Sequence, residues 1–559
     1  MDIEDKIIGN FQKILTVYTK HYIIFLQFVH KNQDERKGKM KTILSFLSGL
    51  LSKVFMKVLA LLSAFLMLFL SPGGHIRQPA ISEECPKYYG EPAEASPLEK
   101  VNVPQHPYLA LEGTNGMHGN SYNTGTYDYM GPLGINPVVN SLSLNVFGGL
   151  VATLTFDSQG RIMCVSGNVV GFRLLLIDAD TLEVLAETRL PQRASTKEFF
   201  KTFDFSLISS DTSGGAYFHL LDGDRPIIGN SDNVVQIFKV DESSDKPEWV
   251  VEQEYDLMPY LPEGSFITDA VPDYDGRIWF VTRPGEVGLI DPDTKEVKMI
   301  KLEGEEIQNS LAIAEDGVYI VSDFAMYRFD VDQDGNPYYT WRTEYDRGTT
   351  LKPGAINQGS GTTPSLLDVP CSGGSIRKLC GITDNADGRV NLVVYDRITG
   401  ETIDTVPLFE EGHSVSENSL IAHGRSFIVE NNYSDTGSGF LVKNPTSYPG
   451  VTRIDMNEDC TACEVVWESQ EASCTVVPKL STANGLVYLY TREINDDIPE
   501  DAVAWYFTAV DFETGETVYK VFTGTGRNWN NSYGPITIGP NGSAYVGVFN
   551  GLISITDTK

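Results

Sequence analysis

"PDYDGRIWFVTRPGEVGLIDPDTKEVKMI" (272–300) decides the fold. An Asp-x-x-Gly turn opens into a short apolar strand, a second turn returns it, and the next strand closes on Asp-x-x-Thr before an amphipathic exit. The same cadence recurs in "FDSQGRIMCVSG" (156–167) with "LLIDADTLEVLAET" (175–188), in "NADGRVNLVVYDRITGETI" (385–403) and in "YFTAVDFETGETVYKV" (506–521). Units of four short strands cannot bury both sheet faces alone, so they stack around an axis as a β-propeller. The expectation is an all-β, eight-bladed propeller, with seven blades as the alternative. Blade starts fall near Leu150, Gly215, Ile267, Ser310, Thr363, Ser419, Val477 and Pro535. The last segment offers only three strands, so "VNSLSLNVF" (139–147) is expected to close the ring.

Upstream, "MKVLALLSAFLMLFLSPGG" (56–74) carries an apolar run from Val58 to Leu70 behind Arg36, Lys37, Lys39, Lys41, Lys53 and Lys57. The run is short for a full span and fits a signal-peptide core, with a membrane-anchor helix as the alternative. The chain therefore divides into an N-terminal extension with signal or anchor (1–74), a Pro/Glu-rich linker (75–110) and the propeller (111–559). Export, to a secreted or extracytoplasmic setting, is the expectation. A long lead of this kind also fits a start at Met40 or Met56.

The 559 residues carry a formal net charge of −32. Residues 1–57 are basic, so the rest is more acidic still. Such a surface repels phosphate backbones, and nucleic acid is not an expected partner. Seven cysteines fall mostly in or beside turns, Cys371 and Cys380 in one group and Cys460, Cys463 and Cys474 in another. In an oxidising compartment these read as loop-stapling disulfides of undetermined pairing, with Cys164 as a buried inert thiol.

"AVDFETGETVY" (509–519) resembles the repeat of pyrroloquinoline quinone (PQQ) dehydrogenase propellers, Ala-x-Asp-x-x-Thr-Gly-x-x-x-Trp. Ala509, Asp511, Thr514 and Gly515 match, and Tyr519 stands in place of Trp. The resemblance implies the propeller architecture and blade-docking roles for these residues. The adjacent Cys-Cys pair those alcohol dehydrogenases place beside the quinone is missing, which counts against PQQ. "DGRIWFVTRPGEVGLIDPDT" also resembles blades of streptogramin lyase and gluconolactonase-like hydrolases, which implies metal or general-base chemistry at the channel mouth.

The innermost strand of each blade lines the axis, so polar residues leading into it converge at one end of the channel. These are Asp269, Asn309, Thr362, Thr363, Glu417, Asn418, Lys479, Asn531 and Tyr533. Asp269, Asn309, Glu417 and Asn418 offer oxygens to a hard cation such as calcium. Asn309, Thr362, Asn418, Arg527 and Asn531 would bind a cofactor or small-molecule ligand, Lys479 or Arg527 taking an anionic group. His413, Glu417 and Lys479 are the candidate acid–base residues, and His118 sits in a Gly/Asn/Tyr loop (111–134) that could fold over the mouth. The same polar residues can instead satisfy backbone groups and channel water. "DVDQDGNPYYTW" (330–341) starts like an EF-hand loop but ends on Trp341, and reads as a hairpin. Three functions fit: a quinoprotein-like propeller binding a small molecule, a metal-dependent hydrolase or lyase, and a non-catalytic protein-binding scaffold.

Overall fold

A computed structural model describes residues 75–77 and 85–558, apart from 101, 145–148, 169–170, 203–210, 212, 354, 356, 435–446, 474, 494, 500 and 501. The apolar run 58–70, the expected signal or anchor, lies outside the described residues, as does Cys474. No helix among the described residues is long and apolar enough to cross a membrane.

The strands form eight sheets, each an antiparallel meander outward from the axis, with Thr126–Tyr127 added in parallel to the inner strand of one, so the ring has eight blades and not seven. Blades 1 to 7 run from inner strands at Leu150–Phe156, His219–Leu221, Ile267–Pro272, Ala312–Ala314, Ser365–Pro370, Ile421–His423 and Lys479–Ser481. Blade 8 supplies three strands from the C-terminus, and Val138–Ser143 adds the fourth by pairing with Gly551–Thr556. The ring is thus closed by a strand from the opposite end of the chain, as the sequence suggested.

Burial follows position in the blade. The inner strand of blade 3 is buried throughout, whereas its outer strand Val297–Lys301 is half-buried at every residue. Apolar side chains between neighbouring sheets form the core; Leu142, Val151, Phe156, Tyr545 and Leu552 seal blade 8 against blade 1.

The repeated Asp residues build the turns. At the first hairpin of blade 3, Asp273 Oδ1 accepts from the amides of Asp275 and Arg277, and Arg277 Nε donates to Oδ2 at 2.8 Å. At the third, Asp291 Oδ1 accepts the Thr294 amide at 2.8 Å, and Lys295 takes φ +61°. In blades 5 and 7 that left-handed position is Gly400 or Gly515, which explains the Thr-Gly pair. Each of these glycines also receives a tryptophan of the preceding blade. Trp341 lies over Gly400 and Trp467 over Gly515, where a Cβ would stand 2.6 and 2.5 Å from the indoles. Their Nε1 atoms donate to Arg397 O and Phe512 O at 3.1 and 2.9 Å. Tyr519 plays the same part against Gly134, its hydroxyl donating to Pro132 O at 2.5 Å.

Among the described residues one disulfide, Cys371–Cys460, ties blade 5 to blade 6. Cys85, Cys164 and Cys380 are buried free thiols and Cys463 is half-buried. Burial pushes Cys164 up to about 12, which fits an inert thiol. In the 75–110 segment, Tyr88–Gly90 pairs with the outer strand of blade 7, so this stretch clasps the ring edge. The 330–341 segment is a hairpin whose Asp332 caps its own turn through the amides of Asp334 and Asn336.

Candidate functional site: the axial hub

The loop expected to fold over the mouth does something more specific: it runs inside the ring, visiting blades in order. Thr114 O accepts from Thr155 Oγ1 of blade 1, and Asn115 O from the Leu220 amide of blade 2. Ser121, Tyr122, Thr124 and Gly125 carbonyls then accept the amides of Ile313, Leu366, Ala422 and Leu480, at 2.8–3.0 Å, in blades 4 to 7. Asp557 of blade 8 holds the amides of Leu133, Gly134 and Ile135. Glycine permits the tight path: at Gly119 (φ +86°) a Cβ would stand 3.0 Å from Thr126 O. The carbonyls of Asn115, Ser121, Tyr122, Thr124 and Gly125 replace water on the exposed edges of inner strands, so the loop is a polar floor across the channel.

Above this floor stand the leading residues of the inner strands. Asp269 is buried, with His219 Nε2 3.0 Å from Oδ2 and Ser310 Oγ donating at 2.5 Å. Burial raises its pKa, but His219, Ser310 and the Ala270 amide outweigh it and hold the carboxyl below its usual range. Tyr217 reaches over the same region, its hydroxyl facing Thr363 with Asp269 and Glu417 nearby; burial and these carboxylates raise it. Glu417 is half-buried and accepts from Gln308 Nε2 at 3.3 Å. Burial pushes it up to about 8 despite the pull of Arg283 and Lys352.

On blade 6, Asn418 Nδ2 donates to Glu430 Oε1 and to Val476 O, both at 2.5 Å. Asn432 and Ser473 complete the cradle of Glu430 at 2.9 and 2.7 Å. Burial still pushes Glu430 up to about 8. Lys479 is fully buried, and its Nζ finds no hydrogen-bond partner among the described residues. Burial lowers it to about 7, with Glu430 pulling the other way. His118, on the floor loop, is 4% exposed with both ring nitrogens unpartnered. Burial, then the charges of Lys479 and His219, lower its pKa well below the imidazole norm.

The structure places Asp269, Thr363, Glu417, Asn418 and Lys479 in the hub region. It spends others on the scaffold. Asn309 Nδ2 donates to Ser360 O, Thr362 Oγ1 accepts the Thr383 amide, and Asn531 bonds Thr475 and Gly534 O. The Tyr533 amide donates to Thr475 O. Arg527 is exposed on a short 3-10 helix, Arg527–Trp529. His413 stacks on Tyr448 at 4.1 Å with Tyr433 edge-on, in the connection from blade 5 to blade 6. Tyr217, His219 and Glu430 were not singled out from the sequence. Glu430 had a readable signal, an acid ending the apolar run "SFIV".

The donor set does not suit calcium. Asp269 and Glu430 are saturated by donors, Asn309 and Asn418 turn their amide nitrogens to carbonyls, and no three His, Cys, Asp or Glu converge among the described residues. The free thiols Cys85, Cys164 and Cys380 are buried and Cys463 half-buried, none adjacent to another in sequence, so no Cys-Cys element faces a quinone. A cavity of about 570 Å³ lies off the hub, bounded by Pro262, Ser265, Pro284, Glu286, Met299 and Lys301. Of its three carboxylates, Glu263, Glu286 and Glu303, Glu286 is paired with Lys301 at 2.7 Å.

Eight closed blades make the chain an all-β, eight-bladed propeller. A quinohemoprotein alcohol dehydrogenase from Pseudomonas putida HK5 matches 79% of this chain and 80% of its own at 11% identity and TM-score 0.49. BamB from Moraxella catarrhalis matches 75% and 93% at 12% identity and TM-score 0.40. At these identities the likeness is one of fold. An uncharacterized protein of Archaeoglobus fulgidus is 27% identical over 330 residues, 53% of this chain. The chain thus spans 62% of the length of that curated relative. No family model matches the chain.

Proposed function

We propose that this protein is an exported propeller that binds a small polar molecule at its axial hub. One observation carries the reading: Lys479 of blade 7 and His118 of the floor loop are both buried, within reach of each other's charge, with polar atoms that no described residue satisfies. A buried polar group left without a partner costs about 1–3 kcal/mol, more when ionisable. A fold that retains two at its centre, beside a carefully cradled Glu430, is organised for a guest. Glu417 and Tyr217 are the partly exposed members and form the rim on the solvent side. Export is supported by the inter-blade disulfide, the acidic surface and the apolar run 58–70.

The test is a thermal-shift and native mass-spectrometry screen of full-length protein against small polyols, sugars, amino acids and carboxylic acids. Hits should disappear in K479M and weaken at least tenfold in H118N, both checked for folding by circular dichroism. Hits that persist unchanged in both variants would place the binding elsewhere and remove the hub from the account.

A further inference from the structure

We infer that Lys479 captures a small hydroxylated aldehyde or ketone at the hub as an imine, with His118 moving the protons. The inference rests on the axial-site reading above and specifies its ligand. Three features of the hub point to it.

First, the Lys479 amine is sealed from solvent, and the carboxyl in its field, that of Glu430, already accepts from Asn418, Asn432 and Ser473. An amine sealed from water with no hydrogen-bond partner among the described residues is pushed down to about 7, so near neutral pH a large share is the neutral, nucleophilic form that imine-forming lysines require. Second, the backbone sets the floor histidine beside the lysine's strand, and the lysine's charge reaches the imidazole. Gly125 N donates to His118 O at 3.0 Å, and Leu480 N donates to Gly125 O at 3.0 Å, so two consecutive hydrogen bonds connect the floor histidine to the strand of Lys479. Both His118 nitrogens lack a hydrogen-bond partner among the described residues, so the imidazole can relay a proton from one to the other without storing it.

Third, the remaining unpartnered atoms select the ligand. Asn418 Oδ1, Gln308 Oε1 and Ser416 Oγ have no partners among the described residues. Two of the three are acceptor oxygens, and the hydroxyl of Ser416 can accept as well. Such a wall repels an anion and welcomes hydroxyl donors. A neutral polyhydroxy carbonyl compound meets both demands.

The chemistry balances without a co-reactant. The nitrogen lone pair forms the C–N bond while the carbonyl π pair moves to oxygen; His118 takes the proton shed by nitrogen and supplies one to that oxygen. Repetition of the transfer breaks the C–O bond, releases water and leaves the C=N bond. One amine and one carbonyl give one imine and one water.

The experiment treats full-length protein with dihydroxyacetone and cyanoborohydride near neutral pH, using glycerol as the carbonyl-free match. Peptide mapping should find Lys479 reduced to one adduct per chain before surface lysines react, with glycerol slowing the labelling. H118N should slow labelling at least tenfold while leaving the circular dichroism unchanged, and K479R should abolish the adduct. Lys479 left unmodified in wild type, while surface lysines label, overturns the imine. Calorimetry on the same samples separates the two readings. Heat from either compound that is lost in H118N keeps the axial site and removes only the imine; no heat from either, with no Lys479 adduct, removes both.

Discussion

His219 and Asp269 face each other from the inner strands of blades 2 and 3, with Nε2 3.0 Å from Oδ2 and both side chains buried. The pair staples two blades at the axis, and Ser310 of the next connection adds a third anchor. Removing one partner of a buried pair strands the other, so Asp269→Ala should cost about 3–5 kcal/mol in urea unfolding. Because the native carboxyl titrates below its usual range, its stabilisation is present above about pH 4 and lost as pH falls through the folded value. The gap between wild type and Asp269→Asn should therefore narrow in acid. A gap that is constant down to pH 3 would remove the Asp269 carboxylate from the argument.

Lys479 and Glu417 should bend the pH–stability profile in opposite senses. The folded lysine titrates near about 7, below its free value, so the unfolded chain holds a proton the native chain lacks between there and about pH 10. Its contribution is present above the free value and lost as pH falls through about 7. Glu417, raised to about 8, contributes below its free value near pH 4.5 and loses that contribution as pH rises through about 8. Melting temperatures from pH 5 to 10 should show K479M gaining on wild type most at pH 7 and below. E417Q should gain most at pH 8 and above. Curves that stay parallel to wild type would show that neither group is desolvated as described.

The fold was legible because its grammar is local. Asp-x-x-Gly and Asp-x-x-Thr-Gly write hairpins whose hydrogen bonds lie within five residues, as Asp273 and Asp511 show. The closing strand was legible by arithmetic, since three C-terminal strands required a fourth. The hub was half legible: inner-strand register brings Asp269, Glu417 and Lys479 to one end, but nothing local says which are partnered. Asn309 and Asn418 have the same residue type at equivalent positions, yet only Asn418 reaches a buried glutamate. The path of the 111–134 loop was hidden for the same reason. Its hydrogen bonds go to seven different blades, and no periodicity within the loop encodes that.

The Cys371–Cys460 disulfide closes a sequence separation of 89 residues between blades 5 and 6. Cross-links over loops of that order stabilise by roughly 2–5 kcal/mol, chiefly through the unfolded chain. Reductant should therefore lower the melting temperature of wild type and leave the double variant C371A/C460A unmoved. Labelling of native protein with a thiol reagent should reach Cys463 before Cys85, Cys164 or Cys380, which are buried. A variant that melts with wild type under oxidising conditions would show that the cross-link adds nothing to blade docking.

Ring closure depends on Gly551 lying against Leu142. Gly551 adopts φ +142°, and a Cβ there would stand 2.1 Å from Leu142 O, a backbone atom that cannot swing aside. Leu142 itself is 1% exposed, packed between blades 8 and 1 in the pairing Leu142↔Leu552. Gly551→Ala should break the end of this ladder, and Leu142→Ala should cost about 2–5 kcal/mol through the cavity it leaves. The two changes act on one seam, so the double variant should fall short of their sum. Hydrogen exchange offers the direct readout: both variants should lose protection in Val138–Ser143 and Gly551–Thr556 first, while blade 4, across the ring, keeps its own. Uniform loss across all blades would mean that the ring opens as a single unit and that the seam is not its weakest joint.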